Sequence, residues 1–264
     1  MPAKKPKAEY AIQTVDNALR VLDAFREADD YGVTELSNRL GLHKNNVFRL
    51  LATLEEAGYV EQITPSDRYR LGVRSLELGR AFARSRTLHR VARPILQNLV
   101  VETGESAHLT LMRDFEVVCI DGMASSQAIT TGSWVGRRLP VHSTAAGKVL
   151  LGGSSESVRE EFDRTVVAGA GLAAHTPTTI VDPHKFFEHI RGVAVAGFAL
   201  EIEESALGLS GAAAPVIGPE GSVVAALSVA GPLFRLSEDH LIREVAPAVV
   251  AAADSISREL GAAI

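Results

Sequence analysis

The chain has 264 residues, 46% of them hydrophobic, which is enough to bury a sizeable core and to form two domains. A net charge of -5 excludes a uniformly basic nucleic-acid coat, and a lone cysteine, Cys119, excludes an intrachain disulfide framework and fits a reducing compartment. No apolar run suits a membrane span or a secretory signal, so a cytoplasmic protein without membrane contact is expected.

Residues 1–9, with three lysines, are expected to be a disordered basic arm. Val15, Leu19, Leu22 and Phe25 then recur at helical spacing, predicting a helix over Ile12–Phe25 with Thr14 or Asp16 as its cap and that face packed inward. Two short helices follow. Val33, Leu36 and Leu40 define the first, Gly41 supplies a tight turn, and Val47, Leu50, Leu51 and Leu54 define the second, a helix-turn-helix pattern. The second helix carries His43, Lys44, Asn45, Asn46 and Arg49 in its first half, the part of a recognition helix that meets base edges. Asn pairs bidentately with adenine and Arg with guanine, so the residue types suit direct readout.

Past Gly58, alternation at Tyr59, Val60 and Gln62, turn chemistry over 64–67 and a return at Arg68–Leu71 predict a hairpin, the wing of a winged helix. Arg68 and Arg70 at its tip are expected to meet phosphates. With Thr34 at the start of the first short helix they complete the candidate DNA-binding set. Residues 1–75 hold eleven Lys and Arg against eleven Asp and Glu, so base contacts and dimerisation must carry more than bulk charge. The domain bounds expected are 10–73 for the winged unit, 74–86 for an amphipathic linker helix with Leu76, Leu78 and Phe82 among Arg74, Arg80 and Arg84, and 87–264 for the rest.

That second part is mixed. A helix over Leu88–Val101 precedes a strand pair at 107–112 and 116–121, a helix over Pro183–Val193, a strand at Leu200–Glu204, and a hairpin of Ser210–Ile217 and Ser222–Ala230. A last helix runs from Ser237 to Leu260. The expected fold class is therefore α+β, with strands and helices around one mainly antiparallel sheet. In LPVHSTAAGKVLLG, small residues at Thr144, Ala145, Ala146 and Gly147 open a helix whose free N–H groups suit a carboxylate, with Lys148 adding charge nearby. The plainer reading of the same residues is a tightly packed helix start.

Three stretches resemble the IclR family of bacterial transcriptional regulators: LLATLEEAGYVEQITPSDRYRLG at 50–72, LPVHSTAAGKVLLG at 139–152, and the run from Gly197 to Leu236. The resemblance implies a winged helix-turn-helix joined to a GAF-like effector domain. It also implies a homodimer or dimer of dimers on palindromic or repeated operator DNA and a small-metabolite effector; a repressor is expected ahead of an activator, although the residues do not themselves reveal the sign of regulation. By the same resemblance the effector contacts fall on Ala145, Ala146, Glu201, Gly211, Ser228 and Ala230, with walls from Thr130, Trp134 and Leu139. This chain departs from the pattern where Gly211 and Ala230 replace a common Cys and Ser, and Glu201 a common Asp. The expected consequence is a wider, more apolar site for an aromatic or branched carboxylic acid. No cofactor is expected.

Enzyme motifs fail on spacing. Gly147–Lys148 lacks the glycine a P-loop needs at His142 and the hydroxyl it needs at Val149; Gly169, Gly171 and Ala174 run into HisThrProThr, where no helix can begin. His184, Glu188 and His189 are off metalloprotease spacing and read first as a solvated face. The remaining alternative is a small-molecule enzyme or metabolite-binding module with an accessory winged domain.

Overall fold

The structure is a computed structural model that describes residues 12–85, 87–132 and 134–263. The basic arm and the side chains of Arg80, Phe82 and Arg84 lie outside the described residues. The chain divides into two units between Ser85 and Arg86.

In the first unit α1 (Gln13–Ala24) is preceded by Ile12, which has no side chain to cap with, so neither Thr14 nor Asp16 is the cap. Its inward face is Val21, Ala24 and Phe25 with half-buried Ala18 and Leu22, whereas Val15 and Leu19 are more than half exposed. The inward face was ambiguous in the sequence because positions 18, 21, 22 and 25 obey helical spacing as well as 15, 19 and 22 do. After a two-residue strand, β1 (Asp30–Tyr31), α2 (Val33–Leu40) starts with the Gly32 N–H donating to Glu35 Oε2 at 3.0 Å. It stops at Gly41, whose φ of 66° is the left-handed conformation that a helix C-terminus favours in glycine. The helix α3 (Lys44–Glu56), strands β2 (Val60–Ile63) and β3 (Arg68–Leu71), and helix α4 (Val73–Ser85) complete the unit. The sheet is antiparallel in the order β1-β3-β2 and closes over Leu36, Val47, Leu50, Leu51, Val60 and Tyr69.

The second unit runs α5 (Thr87–Thr103), β4 (Ser106–Arg113), β5 (Glu116–Met123), β6 (Arg138–Pro140), α6 (Ala145–Gly152), α7 (Glu156–Phe162), α8 (Pro183–Ala196), β7 (Ala199–Ile202), β8 (Leu209–Ile217), β9 (Val223–Pro232), α9 (Glu238–His240) and α10 (Ala246–Glu259). The strands form one antiparallel sheet, β6-β5-β4-β9-β8-β7. Both faces are covered, so β8 and β9 read as continuous apolar runs. Ala212, Ala214, Val216, Ala225, Leu227 and Val229 pack toward α5 and α10. Their neighbours Ala213 and Ala226 pack with α6 and α8 on the opposite side. The two-residue alternation thus assigns every strand residue a face. The final helix is interrupted by a π turn at Leu241–Val245. Among the described residues no helix is long and apolar enough to cross a membrane.

Candidate functional site

The outward face of α3 presents Lys44, Asn45, Asn46, Phe48, Arg49 and Thr53, while Val47, Leu50 and Leu51 anchor it beneath. His43 is its N-cap, accepting the Asn45 N–H on Nδ1 at 3.3 Å, so that nitrogen already has a partner. Thr34 is exposed in the first turn of α2. Asn46 and Arg49 also line a groove of about 200 Å³ with Thr14 and Asn17 of α1. Phe48, 56% exposed, is the large apolar residue of α3 that the core does not take.

The wing arginines are both ion-paired. Arg68 is engaged by Asp30 and by Glu35, with Nη2 2.9 Å and Nη1 3.2 Å from the Glu35 oxygens. This raises the Arg68 pKa and lowers that of Glu35. Arg70 Nε lies 2.6 Å from Glu61 Oε1. Both arginines remain solvent-accessible while ion-paired. Acids on β1, α2 and β2 face them, and Arg68 braces the wing against α2.

On the α6 side of the large sheet, Ser106, His108 and Thr110 of β4, Glu201 of β7, Gly211 of β8 and Ser228 and Ala230 of β9 share one face by their two-residue register. A cavity of about 20 Å³ opens there, lined by Thr110, Val117, Trp134, Leu139, Thr144, Ala145, Ala146, Glu201, Gly211, Ser228 and Ala230. The structure therefore brings together eight of the nine residues expected at an effector site. The ninth, Thr130, instead shares a hydrogen bond with Ser106 (2.8 Å) and is not among the lining residues.

The chemistry around this cavity follows from α6, whose eight residues are all buried. A Cβ on Gly147 would sit 2.2 Å from the Val141 carbonyl oxygen, so this helix lies against backbone and its small residues are a packing requirement. Thr144 caps it by accepting the Gly147 N–H at 3.1 Å, and Glu201 Oε2 accepts the Ala145 N–H at 3.3 Å. Ala146 follows in the same first turn and lines the cavity. The other Glu201 oxygen takes the Ser205 N–H at 3.1 Å and the Ser205 hydroxyl, and burial pushes the Glu201 pKa up to about 7 against those bonds.

Two expectations are refined here. Lys148 does not line the cavity: it is fully buried, ion-paired with Glu204 and donating to the Leu200 carbonyl at 3.1 Å, and its charge reaches the site by favouring ionised Glu201. Gly211 does not widen the site, because a Cβ there would meet the Val229 carbonyl oxygen at 2.5 Å; the missing side chain is occupied by close strand pairing.

A scan of family models matches residues 14–64 to the IclR helix-turn-helix domain and residues 80–258 to the bacterial transcriptional regulator IclR C-terminal domain. The chain belongs to the IclR family. The IclR transcriptional repressor of Escherichia coli K12 is 29% identical over 253 residues, covering 95% of this chain and 90% of that protein. An IclR-type regulator structure from Silicibacter sp. TM1040 is 32% identical, covers 95% of this chain and 97% of its own, and superposes with a TM-score of 0.80. An IclR homolog from Microbacterium hydrocarbonoxydans, solved with 4-hydroxybenzoate, is 25% identical, covers 94% and 98%, and also gives 0.80. The IclR family consists of DNA-binding regulators rather than enzymes, which closes the enzyme alternative.

Sequence reasoning had passed over His108 and Thr110. His108 is buried, stacks on Trp134 with centroids 4.4 Å apart, and burial drives its pKa down to about 4. The polar alternation Ser106, His108, Thr110 inside an apolar strand was the available signal, since a sheet covered on both faces gives such residues no solvent. Cys119 is buried in β5 with its thiol pushed up to about 12 by burial, an unreactive position. Among the described residues, His184, Glu188 and His189 do not belong to any group of three or more ligands able to hold a metal.

Proposed function

We propose that this IclR-family regulator is a repressor whose operator affinity is set by a small carboxylic acid of the hydroxybenzoate class, bound in the cavity at the start of α6. The observation that carries the reading is the convergence of Ala145, Ala146, Glu201, Gly211, Ser228 and Ala230, drawn from four elements, on one cavity at the start of α6. Support for an aromatic acid comes from the Microbacterium homolog and from the apolar walls Trp134, Leu139 and Val117. The cavity's 20 Å³ is about one water, whereas a benzene ring needs on the order of 150 Å³. Binding a ring therefore requires this cavity to enlarge, so the effector selects a more open arrangement of its walls.

For DNA, Lys44, Asn45, Asn46 and Arg49 are the proposed contacts from α3, with His43 and Thr34 beside them. Phe48 between Asn45 and Arg49 suits contact with a thymine methyl. The working division is a winged unit over 10–73, α4 within 74–86 as linker, and an effector and self-association unit over 87–264, acting as a homodimer or dimer of dimers. Trp134 is the chain's single tryptophan, so its emission reports the site directly. Titration with 4-hydroxybenzoate, excited at the red edge of indole absorption, should change the emission saturably, and Trp134→Phe should abolish the signal. An unchanged spectrum at saturating ligand, confirmed as bound by calorimetry, would place the ligand elsewhere.

A further inference from the structure

Glu201 holds the position that an incoming carboxylate needs. Its Oε2 accepts the first amide of α6, Ala145 N–H, and the next residue, Ala146, lines the same cavity. A ligand carboxylate at this helix start then lies beside the Glu201 carboxylate, in a space of about 20 Å³. Burial holds the Glu201 pKa up, outweighing the N–H and hydroxyl that Ser205 donates to its other oxygen and the pull of Lys148 toward the charged form. From α6 the facing cation is Lys148, already paired with Glu204; β4, β5, β8 and β9 offer Thr110, Val117, Gly211, Ser228 and Ala230. His108, stacked behind Trp134, is neutral near pH 7. Two carboxylates in such a site share one proton, because both cannot ionise together at short range.

We propose that Glu201 makes effector binding proton-coupled: an acid enters this cavity with one proton, held between its own carboxylate and that of Glu201. The inference rests on the effector reading above and adds the charge state in which the acid binds. Where Glu201 starts ionised, the proton comes from solvent and one proton is taken up per ligand bound. Where it starts protonated, the acid binds as its anion without uptake. Glu201 thereby also selects against a ligand that carries two negative charges at this end.

The test is calorimetric titration of the full chain with 4-hydroxybenzoate at about pH 8 in two buffers of different ionisation enthalpy, which reads the proton number. Uptake of about one proton is expected, with affinity falling about tenfold per pH unit above the Glu201 ionisation. Glu201→Gln, isosteric and neutral, should bind with no uptake and no pH dependence, while Glu201→Asp should retain uptake. Binding by Glu201→Gln alone at about pH 8, with the wild type recovering at about pH 6, also supports the coupling. Wild-type binding without uptake, or equal uptake in Glu201→Gln, overturns it and leaves the effector reading intact. No binding by either protein at either pH overturns both.

Discussion

Lys148→Met, read against Glu204, is the perturbation that most sharply separates a structural cation from a ligand-holding one. Lys148 has no solvent exposure, and its ammonium is engaged by Glu204 and by the Leu200 carbonyl. Glu204 is itself nearly buried, its second oxygen has no partner among the described residues, and burial raises its pKa. Removing the lysine leaves a carboxylate that neither water nor a counter-charge can satisfy. Breaking a buried pair from one side costs about 3 to 5 kcal/mol, whereas replacing both partners is close to neutral. Lys148→Met should lose that amount, and Lys148→Met with Glu204→Gln should recover most of it, giving a coupling energy of about 2 kcal/mol or more. The deficit of the single variant should shrink toward acid pH, because Glu204 escapes by protonating. Urea unfolding followed by Trp134 emission reads the second unit specifically. A loss under about 1 kcal/mol with intact folding but no hydroxybenzoate binding would refute the reasoning and return Lys148 to the ligand.

Glycine gives a paired prediction. Gly147→Ala drives a Cβ into the Val141 backbone and should destabilise the second unit by about 3 kcal/mol or more, while Gly41→Ala meets no atom within 4 Å and should cost only the left-handed strain of about 1 kcal/mol, both read by urea unfolding. For pH, the Glu201 carboxyl, raised from 4.5 to about 7, holds its proton more firmly when folded; its contribution is complete below about pH 4.5 and is lost as pH rises through 7. Wild type should therefore lose about 3 kcal/mol relative to Glu201→Gln between about pH 4.5 and 7.5, and parallel curves would contradict this. His108 runs oppositely, its contribution being lost as pH falls from 6.5 through about 4. On DNA, Arg68→Ala should loosen the wing, lowering the melting temperature of the first unit without a change in the salt slope of binding. A salt slope reduced by about one would restore Arg68 as a phosphate contact.

Most of the architecture was legible from periodicity and turn chemistry. The helix-turn-helix, the wing and the β8–β9 hairpin lie within a residue or two of their expected bounds because each is built from local signals. What escaped was non-local. β1 is two residues long and exists only because β3 pairs with it, and β6 is three residues paired to β5. The inward face of α1 could not be chosen from two equally spaced stripes. At the cavity the family resemblance named the walls, but charge could not be read from residue type. Lys148 and Arg68 look like free cations in sequence and are spent on Glu204, Asp30 and Glu35, which are distant in the chain. Gly211 looks like an opened pocket and is a close strand contact.

The central claim, a regulator that reads DNA through α3, is tested most directly by selecting bound sequences from a randomised duplex pool with the full chain and with Arg49→Ala. The wild type should enrich one motif with repeated or inverted half-sites, and the variant, equally folded by its melting curve, should enrich none. Enrichment of the same motif at the same strength by Arg49→Ala would contradict the assignment of α3 as the reading helix.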